Sequence, residues 1–188
     1  ILDDVRRGGD RALVRLTRQF DGVGLTSVRV DREAWRAARS ALTDEQRTAL
    51  REAANRIRRY HLRQVAKGFV QKEAGCTISF RYAPVARVGA YIPAGQAPLV
   101  SSVLMTVVPA QAAGVKQIAV CSPPCTRGSV HPAILACLQM LGVDEVYCIG
   151  GAQAIAALAY GTESIPACDV VCGPGNRYVD MAKRLVST

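Results

Sequence analysis

The sequence predicts an α/β protein: a Rossmann-like parallel sheet with flanking helices, preceded by a mainly helical N-terminal part. Three observations lead there. From Ala86 onward, four short apolar runs each pass through a Gly- or Pro-rich turn into a helix-length segment, the signature of successive βα units with right-handed crossovers. Before residue 76, apolar residues recur at three- and four-residue spacing, as on helices. Hydrophobic residues make up 49% and charged residues 21%, an ordinary globular balance that argues against disorder. With 188 residues there is room for one good-sized domain or two small ones. We expect a boundary near Ala83 to Val88, giving a mainly helical part over 1–85 and an α/β domain over 86–188 that is truncated at its C-terminal end.

Taken in order, residues 1–20 read as a helix broken or kinked at Gly8-Gly9. Asp10 is a natural N-cap for the second piece, whose apolar face is Ala12, Leu13, Leu16 and Phe20. Val28 and Val30 suit a short strand. Asp31 caps a helix through Trp35 to about Leu42. Thr43 opens the next, and Thr43 with Gln46 makes a capping box. Leu50, Ala53, Ala54, Ile57, Tyr60 and His61 follow at helical spacing, and His61 reads most simply as a partly buried helix residue with a satisfied hydrogen bond. From Cys76 the period changes to two, so a strand is expected over about 76–82. The regular pattern then begins: strand 86–91 and helix 99–113, strand 117–122 and helix 131–141, strand 145–149 and helix 152–160, strand 169–172 and a helix from about 176 to 186. His131-Pro132 suits a helix start, with Pro near N1.

The net charge of +9 has its source largely in arginines of the first 67 residues, among them Arg6, Arg7, Arg11, Arg15, Arg51, Arg56 and Arg63. They lie on helix surfaces among Asp and Glu, and a solvated arginine-rich surface is the simplest account. Aromatic residues are few and not interleaved with the charges, so no nucleic-acid partner is expected. No apolar run reaches the roughly 18 residues of a membrane span, and no signal peptide is visible, so we expect no membrane partner. The chain begins at Ile1 and stops at Thr188 inside an expected helix, which reads as a fragment at both ends. Seven cysteines with no sign of secretion read as reduced thiols. Cys121/Cys125 and Cys168/Cys172 have spacings within the zinc range. Because they flank strands, small buried core residues are the better reading.

The strand order puts four loops at the carboxyl edge of one sheet: Tyr91 to Gln96, Ser122 to Cys125, Gly150 to Gln153 and Gly173 to Asn176. Ligands of open α/β sheets bind at that edge. Gly150-Gly151 and Gly173-Pro174-Gly175 each feed a helix, whose N-terminus offers free N–H groups and a positive dipole end. Asn176 sits at a cap and Gln153 in a first turn; both amides donate and accept, as a ribose or carboxamide requires. Tyr91 ends its strand with a phenol at the cleft. There is no G-x-G-x-x-G, no P-loop and no G-x-S-x-G. The residues by themselves therefore lead to a small-molecule cleft with its chemistry unassigned.

Ordered motifs along nearly the whole chain resemble the histidinol dehydrogenase family. They include Gly9-Asp-Arg-Ala-Leu13, Ile57-Arg-Arg-Tyr-His61, Arg87-Val-Gly-Ala-Tyr-Ile-Pro93, Ser101-Ser-Val-Leu-Met105, Cys121-Ser-Pro-Pro124, Gly150-Gly-Ala-Gln153, Gly161-Thr-Glu-Ser-Ile-Pro166 and Gly173-Pro-Gly-Asn176 with Lys183. The resemblance implies a cytoplasmic enzyme that oxidises L-histidinol to L-histidine in two NAD-dependent steps, with Tyr91, Gln153 and Asn176 contacting NAD. It also implies a homodimer at full length, zinc that holds the substrate, and a Glu–His acid–base pair. Family members are about twice this length, which buries more surface per residue. The zinc ligands, the acid–base pair and the substrate serine match positions beyond Thr188, so no catalytic or metal residue is assigned here and this chain alone is expected to be inactive. The helical first part is expected to pack on that further half. The family usually has Pro-Gly-Gly after the tyrosine where this chain has Pro93-Ala94-Gly95, a change that matters only if Ala94 needs positive φ. Two alternatives stay open: a related NAD-dependent alcohol dehydrogenase with another substrate, and a half-length, non-catalytic binding protein.

Overall fold

The computed structural model describes residues 1–94, 97–125 and 128–187. Its centre is a four-stranded parallel sheet in the order β5-β4-β3-β6, built from β3 (Arg87–Tyr91), β4 (Gln117–Ser122), β5 (Val146–Cys148) and β6 (Val170–Cys172). Tyr91 pairs with Cys121 and Ala90 with Cys172, so the strand ends are aligned at the carboxyl edge. β3 is buried along its whole length, as expected for a central parallel strand. The α/β class read from the sequence is the class observed.

Side-chain alternation along these strands feeds two apolar layers. Ala90, Ile92, Val120 and Cys148 face α4 (Val100–Ala112) and α5 (Pro132–Met140), which α2 (Arg32–Ala38) and α3 (Asp44–Leu62) cover from outside. Tyr91, Ala119, Cys121 and Tyr147 face α6 (Gly151–Tyr160), with α1 (Leu2–Asp21) and α7 (Arg177–Val186) packed on it. Gly89 permits the close fit of α6: a Cβ there would meet Leu158 at 2.9 Å. Helices α1, α2 and α3 thus lie on helices of the sheet layers.

The kink in α1 is at Gly9, with φ 50° and ψ −139°. Asp10 does not cap the second piece of the helix. Its carboxylate instead accepts from the Thr162 hydroxyl at 2.6 Å and from the Ser164 hydroxyl, while its N–H donates to Glu163 at 2.7 Å. A tertiary loop has taken the acceptor that local sequence assigns to the cap. Ala12, Leu13 and Leu16 are buried, but Phe20, near the helix end, is 54% exposed. The Asp31 cap and the Thr43/Gln46 capping box form as expected, while α2 ends at Ala38 rather than near Leu42. His61 takes no side-chain hydrogen bond among the described residues; its ring instead meets Tyr60 edge-on, with centroids 5.2 Å apart.

Val28 to Val30 make a single antiparallel bridge along β5 rather than a strand of their own. The Val30 N–H donates to the Val146 carbonyl, and the Cys148 N–H to that of Val28. The strand expected near 76–82 is β2 (Cys76–Phe80), and it has a partner that the sequence analysis missed, β1 (Phe69–Glu73). They form an antiparallel ribbon joined at Ala74-Gly75, where Gly75 has φ 80°. All ten strand residues are exposed.

Candidate functional site

β3 leads to α4 on one face of the sheet, whereas β5 crosses by α6 on the other face to reach β6 beside β3. β3 and β6 run parallel, but the direction in which successive strands are added reverses between them, and a crevice opens at their carboxyl ends. Tyr91 ends β3, and the turn Gly173-Pro174-Gly175 follows β6.

These turns touch one another. The Gly151 N–H donates to the Tyr91 hydroxyl at 3.2 Å. Gly150, the N-cap of α6, has no side chain with which to cap, so the phenol of a neighbouring strand satisfies one of the helix's orphan donors. A Cβ on Gly150 would lie 2.6 Å from that of Pro123, which fits the β4 turn against the same entry. Gly173 lies against the Tyr91 backbone: with φ 121°, a Cβ there would stand 2.1 Å from the Tyr91 carbonyl oxygen. Only glycine allows this approach.

The sequence-predicted site residues fall as follows. Tyr91 is buried, and burial pushes its phenol above the ordinary value against the opposing Gly151 hydrogen bond. Gln153 lies in the first turn of α6 and is 2% exposed, yet its amide takes no hydrogen bond among the described residues. Asn176 caps α7: its Oδ1 accepts from the Tyr178 and Val179 N–H groups at 3.0 and 3.1 Å, which leaves its Nδ2 as a donor. The fold thus brings the turns carrying all three to one edge. Of the Tyr91 to Gln96 loop, Gly95 and Gln96 lie outside the described residues; Ala94 does not take positive φ. A surface hollow of about 370 Å³ lies elsewhere, between α2 and the segment around Ser129 and Pro132.

Two features escaped sequence reasoning. Ser122, at the end of β4, is fully buried, and its hydroxyl has no partner among the described residues. Lys183, on α7, donates to the Gly173 carbonyl at 2.8 Å. Nothing in local sequence announces a side chain that reaches back across ten positions. The cysteines are all free. Cys121 is a core residue as expected, whereas Cys125, Cys168 and Cys172 are only half-buried, because they stand in or beside turns at the strand ends. Among the described residues no group of three His, Cys, Asp or Glu side chains is placed to share a metal ion, and no helix is long and apolar enough to cross a membrane.

The opposite edge of the sheet is built differently. The buried Arg87, at the start of β3, forms a two-pronged ion pair with the half-buried Glu145. The Tyr147 hydroxyl donates to Glu145 at 2.7 Å, and Asp169 accepts from the Arg87 N–H at 2.8 Å. Burial acts to raise the Glu145 carboxyl, but the hydrogen bonds from Arg87 and Tyr147 and the Arg87 charge hold it below its ordinary value.

Comparison with known proteins agrees with this architecture. The family described as Histidinol dehydrogenase matches residues 1–188. The chain is 46% identical over 188 residues to the histidinol dehydrogenase of Xanthomonas euvesicatoria pv. vesicatoria, covering all of this chain and 44% of the relative. It is 47% identical over 186 residues to that of Thermus thermophilus, covering 99% and 44%. The crystal structure of histidinol dehydrogenase from Elizabethkingia anophelis superposes with a TM-score of 0.94 at 38% identity, over 99% of this chain and 43% of that one. The chain therefore spans less than half the length of the curated relatives it matches. A family match that runs from Ile1 to Thr188 establishes that this chain belongs to the histidinol dehydrogenase family.

Proposed function

We propose that this chain is the amino-terminal, NAD-contacting half of a histidinol dehydrogenase, an enzyme that oxidises L-histidinol to L-histidine in two NAD-dependent steps through an aldehyde. One observation supports this placement of the cofactor: the turns bearing Tyr91, Gln153 and Asn176 come together beside the parallel pair β3 and β6, where the strand order switches direction. When bound, NAD accepts a hydride at its nicotinamide ring.

The residues of this chain bind and orient. The Tyr91 oxygen is engaged by the Gly151 N–H, so its own proton is the group it offers to a ligand. Asn176 likewise offers Nδ2, because its oxygen holds the first turn of α7. The Gln153 amide, almost wholly buried and without a hydrogen bond among the described residues, gains one from a polar ligand group. Gly173 leaves room for the Tyr91 carbonyl and Gly151 for the Gln153 amide, and the N-termini of α6 and α7 favour negative charge beside them.

In this reading, the zinc ligands, the acid–base pair and the substrate contacts belong to the part of the enzyme that the relatives have beyond the length matched here. The whole enzyme is a cytoplasmic homodimer acting on a small-molecule substrate. The chain over 1–85 forms a mainly helical part, and the α/β part over 86–188 holds the cofactor.

Calorimetric titration with NAD tests the cleft. Saturable binding that falls roughly tenfold or more in both Gln153→Ala and Asn176→Ala is the expected result. A folded chain that binds no NAD, or variants that bind like the parent, would overturn the assignment of these residues. Turnover of L-histidinol by the rigorously purified chain would overturn its expected inactivity.

A further inference from the structure

We infer that Lys183 is a positioning residue for this cleft: it holds the turn between β6 and α7 in the geometry that aligns Asn176 with Tyr91. The inference rests on the NAD reading above. Lys183 sits in the second turn of α7, and its Nζ donates to the Gly173 carbonyl at 2.8 Å. This is the one hydrogen bond from a side chain onto residues 173–175 among the described residues. The ammonium also meets Asp180 at 3.3 Å, and it lies close enough to Cys172 to oppose the burial that raises that thiol.

The turn needs such a tie. Gly173 has φ 121°, a conformation that costs a glycine little but gives it no intrinsic anchor. A Cβ on Gly173 would come within 3.0 Å of Tyr91 O, C and N, so only glycine can lie this close to the end of β3. Gly175, two residues on, has room for no side chain, because a Cβ would stand 2.3 Å from the Val179 methyl. The turn is thus clamped between the end of β3 and the first turn of α7 by contacts that need its backbone in one place. Asn176 follows immediately and caps the helix that carries Lys183. Direct contacts thus link Lys183, the Gly173 carbonyl, Asn176 and the end of β3. A hydrogen bond from a charged donor, partly shielded from solvent, is among the stronger single interactions a side chain makes with a carbonyl.

The test titrates NAD into the parent chain, Lys183→Met, Lys183→Arg and, as a control on the opposite edge, the exposed Lys116→Met, with a thermal melt of each. The expected result is roughly tenfold or weaker NAD binding in Lys183→Met, recovery of most of it in Lys183→Arg, and parent-like binding in Lys116→Met, all with melting close to the parent's. Parent-like binding in Lys183→Met overturns the inference and leaves the site reading intact. Lost binding accompanied by a large fall in melting temperature, with no rescue by Lys183→Arg, also overturns it, since Lys183 would then serve only stability. A parent chain that binds no NAD overturns the site reading, and the inference with it.

Discussion

The two edges of the central sheet are built on opposite principles. At the amino edge, the shielded polar groups engage one another: Arg87 with Glu145, Glu145 with Tyr147, and Asp169 with the Arg87 backbone. Hydrogen bonds among oppositely charged, shielded groups tie the starts of β3, β5 and β6 together. At the carboxyl edge, the contacts are made by Gly150, Gly151 and Gly173, by one phenol and by helix ends. There, donors and a buried amide are left over. The comparison teaches that rigidity and ligand recognition are divided between the ends of the same strands. One edge consumes its hydrogen-bonding capacity in folding, and the other holds some in reserve.

The sharpest way to break this division is Arg87→Met. It leaves the half-buried Glu145 with the Tyr147 hydrogen bond but no counter-charge, for which a loss of about 2–3 kcal/mol is expected in urea unfolding, with NAD binding by the remaining folded chain nearly unchanged. A large fall in affinity at equal folded fraction would show that the edges are coupled. Gly173→Ala comes next. It forces a side chain into a positive-φ site against the Tyr91 carbonyl, and a cost of about 2 kcal/mol is expected. Here NAD binding falls as well, because the turn must shift. Tyr91→Phe is milder. Removing the acceptor of the Gly151 N–H is expected to cost about 1 kcal/mol in stability and, separately, to weaken NAD binding. A variant that binds like the parent would show that the phenol serves only α6.

Acid separates the edges without mutation. The Glu145 carboxyl is held below its ordinary value in the folded chain. Its contribution is therefore present above the ordinary carboxylate range and is lost as pH falls through the lowered native value. Unfolding free energy measured against pH is expected to decline less steeply on the acid side in Glu145→Gln, which is already missing that contribution. Thiol labelling gives the smallest effect. Cys76, exposed on the ribbon, is expected to react first, while Cys148, buried and pushed up to about 12, and Cys137, pushed up to about 11, react only on unfolding. Early labelling of Cys148 would show that β5 opens locally.

Local chemistry was enough to determine much of this molecule. The βα alternation, the Asp31 and Asn176 caps, the capping box at Thr43 and the break at Gly9 all follow from interactions within a few residues, and each formed as read. The ordered motifs carried the family as well. Only the tertiary structure decided where long-range partners lie. Asp10 gave its carboxylate to the loop at Thr162, more than 150 positions away, because that loop competes successfully with the helix's own N–H groups. β1 was missed because Phe69 to Glu73 alternates only weakly and exposes both faces, so no buried stripe marks it. The meeting of Tyr91 with Gly151, and of Lys183 with Gly173, was likewise invisible. Periodicity reports which face of an element is buried, but not which backbone atom of another element will stand within about 3 Å of a given side chain. That is set by strand order and by the close approach that glycine permits.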